Sequence, residues 1–346
     1  MNSKKKIFKV AIRCFTFNHE KYIEEALKGF GMQKTNFPYT AIVVDDASTD
    51  NEPLILNLFI KRELDTNFIE KEETNDYVKI VAPYKTNPNC TFAIILLKYN
   101  HYSIKKSKFS YFHELIDSAK YIALCEGDDF WTDPLKLQKQ YDIMEKHPDC
   151  TICFNRVQAV YEDGITPEFM IPSIKSAFCS GFIQLDNLIK EEFDLGRWCF
   201  QTSSFFVTKA ISNGYITFKK ENLPSFPYGD LPLIMFALTE GMGYFIDETM
   251  GCYRRFSGGF CSSLQANREK KIKTGYQVIK GCEEFDKFTD FKYHKMILKK
   301  IKREEFYVIY NKMSLRPRHW EFLVPEIYKC VCNKTKTTIR KVFPFV

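Results

Sequence analysis

Apolar positions along the chain fall into short runs of strand length, separated by segments that repeat at helical spacing. Residues 8–15 alternate apolar with polar or small side chains and predict a strand. Tyr22, Ile23, Ala26, Leu27 and Phe30 then recur at helical spacing, with Asn18 as the expected N-cap and Gly29 and Gly31 near the stop. Ala41, Ile42, Val43 and Val44 form an unbroken apolar run ending in Asp45 and Asp46, which predicts a buried parallel strand with acids at its carboxyl end. A helix from Pro53 to about Lys61, a third strand at 77–81, a helix over 109–120 and a fourth strand at 121–125 follow, the last running into Glu126, Asp128 and Asp129. Repeated strand–helix alternation predicts a doubly wound, mostly parallel α/β sheet whose ligands sit outside the carboxyl ends of the strands.

Downstream, the pattern predicts an amphipathic helix over 135–147 stopped by Pro148, strands at 151–161, 200–207 and 243–246, and a helix over 232–240. The body is expected to end near Ser263. The following residues to about Met313 are helical and basic, with Tyr293, Met296, Ile297, Ile301 and Phe306 on one side, before Pro317, Pro325 and a short basic-apolar stretch. The expected division is 1–263, with halves at about 1–134 and 135–263, and a C-terminal helical basic extension, 264–346.

Composition narrows the class. At 346 residues, 45% hydrophobic and 27% charged, the chain is a folded protein rather than a disordered or fibrous one. The strongest apolar run, Thr91 to Leu97, is strand-sized, and Lys9 and Arg13 interrupt what a signal peptide would need. A cytoplasmic location is therefore expected. The 12 Cys are read as reduced, mostly buried thiols, since Cys150 and Cys153 or Cys330 and Cys332 alone do not make a zinc site. Residues 268–346 carry 20 Lys and Arg against 9 Asp and Glu, a surface suited to an anionic partner. Alternation of those cations with Glu283, Glu284, Glu304 and Glu305 argues against nucleic acid, and a peripheral contact with an anionic membrane is the expectation instead.

Candidate chemistry lies in two acidic clusters at predicted strand ends: Asp45, Asp46 and Asp50, and Glu126, Asp128 and Asp129 around Gly127. Carboxylates so close repel unless a cation joins them, and their oxygens suit Mg²⁺ or Mn²⁺. Adjacent acids also cap helices, as Ser48 or Asp50 before Pro53 and Asp133 before Pro134 would. No Gly-rich loop follows the first strand, which disfavours dinucleotide dehydrogenases, P-loop enzymes and nucleotidyltransferases. His19, His101, His113, His147, His294 and His319 form no helical pair at ligand spacing and receive no catalytic role. Trp131 and Trp198 are candidates to stack a sugar ring, although aromatic residues more often fill cores.

These segments taken in order (Val10 to Gln33; Val43 to Asp50; Cys125 to Pro134 with Lys136 to Gln140; Gly229 to Pro232; Tyr253 to Gly259) resemble the inverting family 2 glycosyltransferases of GT-A fold, including those that build bacterial polysaccharide and O-antigen. The resemblance spans roughly residues 7–263. It implies that Phe15, Phe17 and Asn18, with Asp45 and Asp46, hold the nucleotide of a sugar donor, and that Asn100 and Ser103 form a third nucleotide-contacting loop. It further implies that Glu126 and Asp128 face the donor, that Asp128 and Asp129 bind a divalent cation (Mn²⁺ or Mg²⁺), and that Asp230 is the general base, a role compatible with capping the next helix. Phe256 stands where the family often has a metal-binding His. The implied activity is inverting transfer of a sugar, from a UDP-sugar by preference, to a hydroxyl of a glycan or lipid-linked oligosaccharide. The alternatives are an inactive relative that only binds nucleotide sugar or glycan, and a nucleic-acid binder using the basic tail.

Overall fold

A computed structural model describes residues 7–259, 262, 264 and 266–313. The boundary expected at Ser263 and the stretch containing Pro317 and Pro325 lie outside the described residues. The chain groups into two compact units, one formed by the residues through Glu221 with Tyr228–Phe256, the other by Asn222–Pro227 and the described residues from Ser257 onward.

The first unit contains strands β1 (Val10–Thr16), β2 (Tyr39–Asp45), β3 (Glu70–Glu73), β4 (Tyr77–Tyr84), β5 (Asn87–Leu97), β6 (Tyr121–Leu124), β7 (Phe130–Trp131), β8 (Cys150–Val160), β9 (Pro167–Ile171), β10 (Gly181–Ile183), β11 (Phe206–Thr208) and β12 (Met242–Arg254). Its helices are α1 (Ile23–Gly31), α2 (Glu52–Glu63), α3 (His113–Asp117), α4 (Lys136–Lys146), α5 (Leu185–Leu188), α6 (Lys209–Asn222) and α7 (Asp230–Glu240). The strands make one sheet in the order β10-β12-β8-β11-β6-β1-β2-β5-β4-β3, with β7 on β12 and β9 on β8. Strands β6, β1, β2 and β5 are mutually parallel, as are β8 and β12, while β11 bridges the two parallel groups in antiparallel register. On one face, Val10, Ile12, Ala41, Val43, Ile94 and Ala123 pack with Ile23, Leu27 and Phe30 of α1 and Leu56 and Phe59 of α2. Burial of both faces explains why the central strands read as apolar runs.

Several expectations shift. The strand beside β2 is β5, which carries the Thr91 to Leu97 run, and the expected third strand becomes β4, its antiparallel partner. The run buried at every position but Leu96 wins the inner position, and β4, with Lys79 half-buried, takes the outer one. Asn18 does not cap α1: its φ is +57°, and a turn through His19 to Tyr22 comes before the helix. The helix expected over 109–120 shortens to a single turn at 109–111 and α3, and the strand expected over 200–207 to a turn followed by β11. Helix α6 was not foreseen.

In the second unit, α8 (Arg268–Phe288) and α9 (His294–Met313) bury Val278, Cys282, Phe285, Tyr293, Ile297, Ile301 and Val308. Among the described residues all nine Cys are free thiols, with Cys179 alone exposed. Among the same residues no helix is long and apolar enough to cross a membrane.

Candidate nucleotide-sugar site

Parallel register brings the carboxyl ends of β1 and β2 together, Thr16 beside Asp45. The loops leaving them are tied to each other. The Asp46 N–H donates to the Thr16 carbonyl (3.0 Å), the Asn18 N–H to Ser48 Oγ (2.8 Å), and the Thr49 N–H to Asn18 Oδ1 (2.7 Å). Asn18 and Ala47 (φ +59°) both sit in the left-handed region, which Asn tolerates and Ala adopts only under strain. Beneath both loops lies Glu52, fully buried at the start of α2. It accepts the Thr16 hydroxyl, the His19 N–H (2.8 Å) and the Ser48 hydroxyl (2.9 Å).

The loop after β6 continues along β1. Cys125 N–H donates to the Arg13 carbonyl (3.2 Å) and Gly127 N–H to that of Phe15 (3.0 Å). The approach is so close that a Cβ on Gly127 would stand 2.2 Å from Thr16 Oγ1. The two acids that follow diverge. Asp129 turns inward, where its Oδ1 accepts the Arg254 N–H (3.0 Å) and its Oδ2 accepts Gln201 Nε2 (2.7 Å). Asp128 faces outward, its side chain 20% exposed, with Oδ2 3.9 Å from His19 Nε2. The sequence assigned both acids to a metal, whereas the fold commits both Asp129 oxygens to the scaffold. Arg254 locks the arrangement: its Nε donates to the Asp128 carbonyl (3.2 Å), one terminal nitrogen to the Glu162 carbonyl (3.1 Å) and the other to the Glu25 carboxylate.

The third expected loop folds over Asp46. The Asp46 carboxylate accepts the N–H groups of His101 (2.8 Å) and Tyr102 (3.1 Å) and pairs with Lys108 Nζ (2.7 Å), which also lies over the Phe15 ring. Asn100 and Ser103 bond to each other within that loop, while Phe17 is exposed. Asp45 caps its own turn through Ser48. Trp131 is core, its ring against Phe30 and its N–H on the Ser203 carbonyl, which removes it as a sugar platform; Trp198 stays partly exposed. Phe256 packs edge-on to His19.

Charge is crowded here. Burial, then Asp128, pushes the Glu126 carboxyl up to about 7 against Arg13 and Lys108. Burial lifts Asp45 to about 6 despite Ser48. Asp129 is held well above the carboxylate range by burial and Asp128, although Arg254 and Gln201 oppose this. At the start of α7, burial raises Asp230, whose Oδ1 accepts the Leu231 N–H (2.8 Å); Glu192 adds to the rise and Lys219 offsets it. Tyr215 feels both Asp230 and Arg13, and Arg13 feels both Glu126 and Tyr215. Sequence reasoning passed over Glu52, Gln201, Arg13 and Tyr215, and gave His19 no role. Of these only His19, beside Asn18, and Glu52, ahead of Pro53, had a local signal.

No family model matches the chain. The proteins Mb1547 of Mycobacterium bovis and Rv1520 of Mycobacterium tuberculosis, both described as uncharacterized, are each 32% identical over 189 residues, 52% of this chain and 46% of theirs. The chain spans about half the length of the curated relatives it matches. Among solved structures, S. aureus TarS 1–349 in complex with UDP-GlcNAc superposes with a TM-score of 0.52 at 14% identity, covering 90% of this chain and 77% of that one. The two share a fold, a mixed, mostly parallel α/β sheet with helices. Within it, the carboxyl ends of β1, β2 and β6 form the edge on which these loops meet.

Proposed function

We propose that the protein is an inverting glycosyltransferase that moves a sugar from a nucleoside diphosphate donor to an acceptor hydroxyl. The observation that carries this reading is the meeting of the loops after β1, β2 and β6 on one edge of a fold shared with TarS, with the Asp128 carboxylate facing outward there. TarS, of like fold, is described in complex with UDP-GlcNAc, which favours a uridine-linked donor.

Among the described residues no group of three or more His, Cys, Asp and Glu side chains is arranged to hold a metal ion alone. An outward carboxylate that shares a cation with donor phosphates fits the usual Mg²⁺ or Mn²⁺ arrangement, and Asp128 is that carboxylate. When bound, the cation supplies electrostatic stabilisation of the departing diphosphate. Asp129 holds the loop in place through Gln201 and Arg254. The loop from Phe15 to Asn18 flanks the nucleoside, and Lys108 brings positive charge to the same edge. Asp230 accepts the acceptor proton through the oxygen that Leu231 does not occupy, and its raised proton affinity suits a general base. Direct displacement at the anomeric carbon inverts its configuration. The expected setting is synthesis of a surface glycan on a lipid-linked acceptor, with the basic residues after 268 facing an anionic membrane.

The test is a screen of UDP-, GDP- and dTDP-sugars for donor hydrolysis with Mn²⁺ or with chelator. Metal-dependent release from one donor is expected, with Asp128→Asn removing it. Asp230→Asn is expected to lower turnover about 10²- to 10⁴-fold while nucleotide protection against heat persists. No release from any donor, together with no thermal protection by any nucleotide, would overturn the reading.

A further inference from the structure

The His19 ring is oriented by a relay that leaves one nitrogen free. Its Nδ1 lies 3.0 Å from Thr16 Oγ1, and that hydroxyl also touches Oε1 of the fully buried Glu52. A threonine hydroxyl has one proton, and a carboxylate can only accept. The Thr16 proton therefore goes to Glu52, Thr16 Oγ1 accepts from the His19 Nδ1–H, and Nε2 is the ring nitrogen left to bind a cation. This is the arrangement of a metal-binding imidazole, whose other N–H is held by a polar partner.

Nε2 stands near a carboxylate oxygen. Nε2 is 3.9 Å from Asp128 Oδ2, too far for a hydrogen bond, with the two side chains 17% and 20% exposed. Two neighbouring ligands bonded at about 2.1 Å to one octahedral cation lie about 3 Å apart, so a shared ion would draw these two partly exposed side chains together by about 1 Å. Phe256 edge-on to the ring, with Tyr22 beside it, fixes the imidazole from the apolar side, and the His19 N–H is anchored on Glu52.

We propose that His19 Nε2 and Asp128 Oδ2 are the two protein ligands of the divalent cation, and that the imidazole selects a transition ion such as Mn²⁺ over Mg²⁺. The inference deepens the glycosyltransferase reading and rests on it. Imidazole nitrogen binds transition ions, while Mg²⁺ takes oxygen ligands and keeps its waters. The site thus derives its nitrogen donor from the loop after β1 rather than from the segment that ends β12.

Electron spin-echo spectroscopy of Mn²⁺ bound to the wild-type chain, alone and with UDP, tests this without any variant. Modulation from a directly bound ¹⁴N is expected. In parallel titrations, His19→Gln is expected to weaken Mn²⁺ at least about tenfold, since loss of mere outer partners weakens metal sites by about 10- to 100-fold. Its Mg²⁺ affinity should hold within about threefold, because oxygen ligands dominate there. Mn²⁺ that binds and is lost in Asp128→Asn, but shows no ¹⁴N modulation and binds His19→Gln equally well, would overturn this inference and leave the glycosyltransferase reading standing. A protein that binds no Mn²⁺ even with UDP, and turns over no donor, would overturn both.

Discussion

Replacing Gly127 by Ala is the sharpest test of how the site is assembled. The added Cβ would lie 2.2 Å from Thr16 Oγ1, 2.6 Å from Thr16 Cβ and 3.1 Å from His19 Nδ1. Rotating Thr16 relieves the first contact and leaves the second. Thr16 cannot retreat as a whole, because it is the last residue of β1 paired with β2, and its hydroxyl bridges Glu52 and His19. Overpacking costs about 1–3 kcal/mol. A broken hydrogen bond to a buried carboxylate costs about 1.5–3 kcal/mol, so the expected loss is about 2.5–6 kcal/mol. In thermal unfolding this corresponds to a midpoint lowered by about 5–24 °C, at about 2–4 °C per kcal/mol for a unit of this size. The rescue pattern identifies the cause. Thr16→Ala keeps the 2.6 Å contact and should not restore the midpoint, whereas Thr16→Gly removes both contacts and should couple favourably to Gly127→Ala by about 1–3 kcal/mol. A Gly127→Ala protein that melts within about 1 °C of wild type, or a strictly additive double variant, would refute the close approach.

Two further substitutions separate scaffold from chemistry. Asp129→Ala strips the acceptors from two buried donors, Gln201 Nε2 and the Arg254 N–H, and should destabilise by about 2–4 kcal/mol in urea titrations. Asp128→Ala should leave stability unchanged or raised, since it removes repulsion from Asp129 and Glu126, and should lose metal binding together with the donor release that depends on it. Lys136 is fully buried over the Trp131 ring with Gln140 as its partner, and burial lowers its ammonium to about 7. The folded state therefore binds fewer protons than the unfolded chain between about pH 7 and the ordinary value of 10.5. Wild-type stability relative to Lys136→Met should rise over that window, by up to roughly 4–5 kcal/mol, and a constant difference across pH would show that Lys136 titrates normally.

Much of the parallel core was legible because its signals are local. β1 is an alternating stretch and β2 and β6 are short apolar runs, each followed within two residues by an acid or a tight loop, and α4 and α7 announced themselves by helical spacing. That pattern was enough to place Asp45, Asp46, Asp128 and Asp129 at strand ends. It could not rank β4 against β5, because both are strand-like and only the sheet decides which one is buried on two faces. It also could not tell Asp128 from Asp129. The two are neighbours of one residue type, and their roles part only because Arg254 and Gln201, 125 and 72 residues away, converge on one of them.

What the amino-acid order determined by itself was therefore the set of elements and the acids at their ends. The tertiary structure decided which of those acids faces outward, which is spent on the scaffold, and that His19 meets Asp128 across 3.9 Å. Periodicity records which face of an element avoids water, an effect felt over a few residues. The partner of a carboxylate is set instead by strand register and by loops that touch only after the sheet has closed, and that depends on the whole chain.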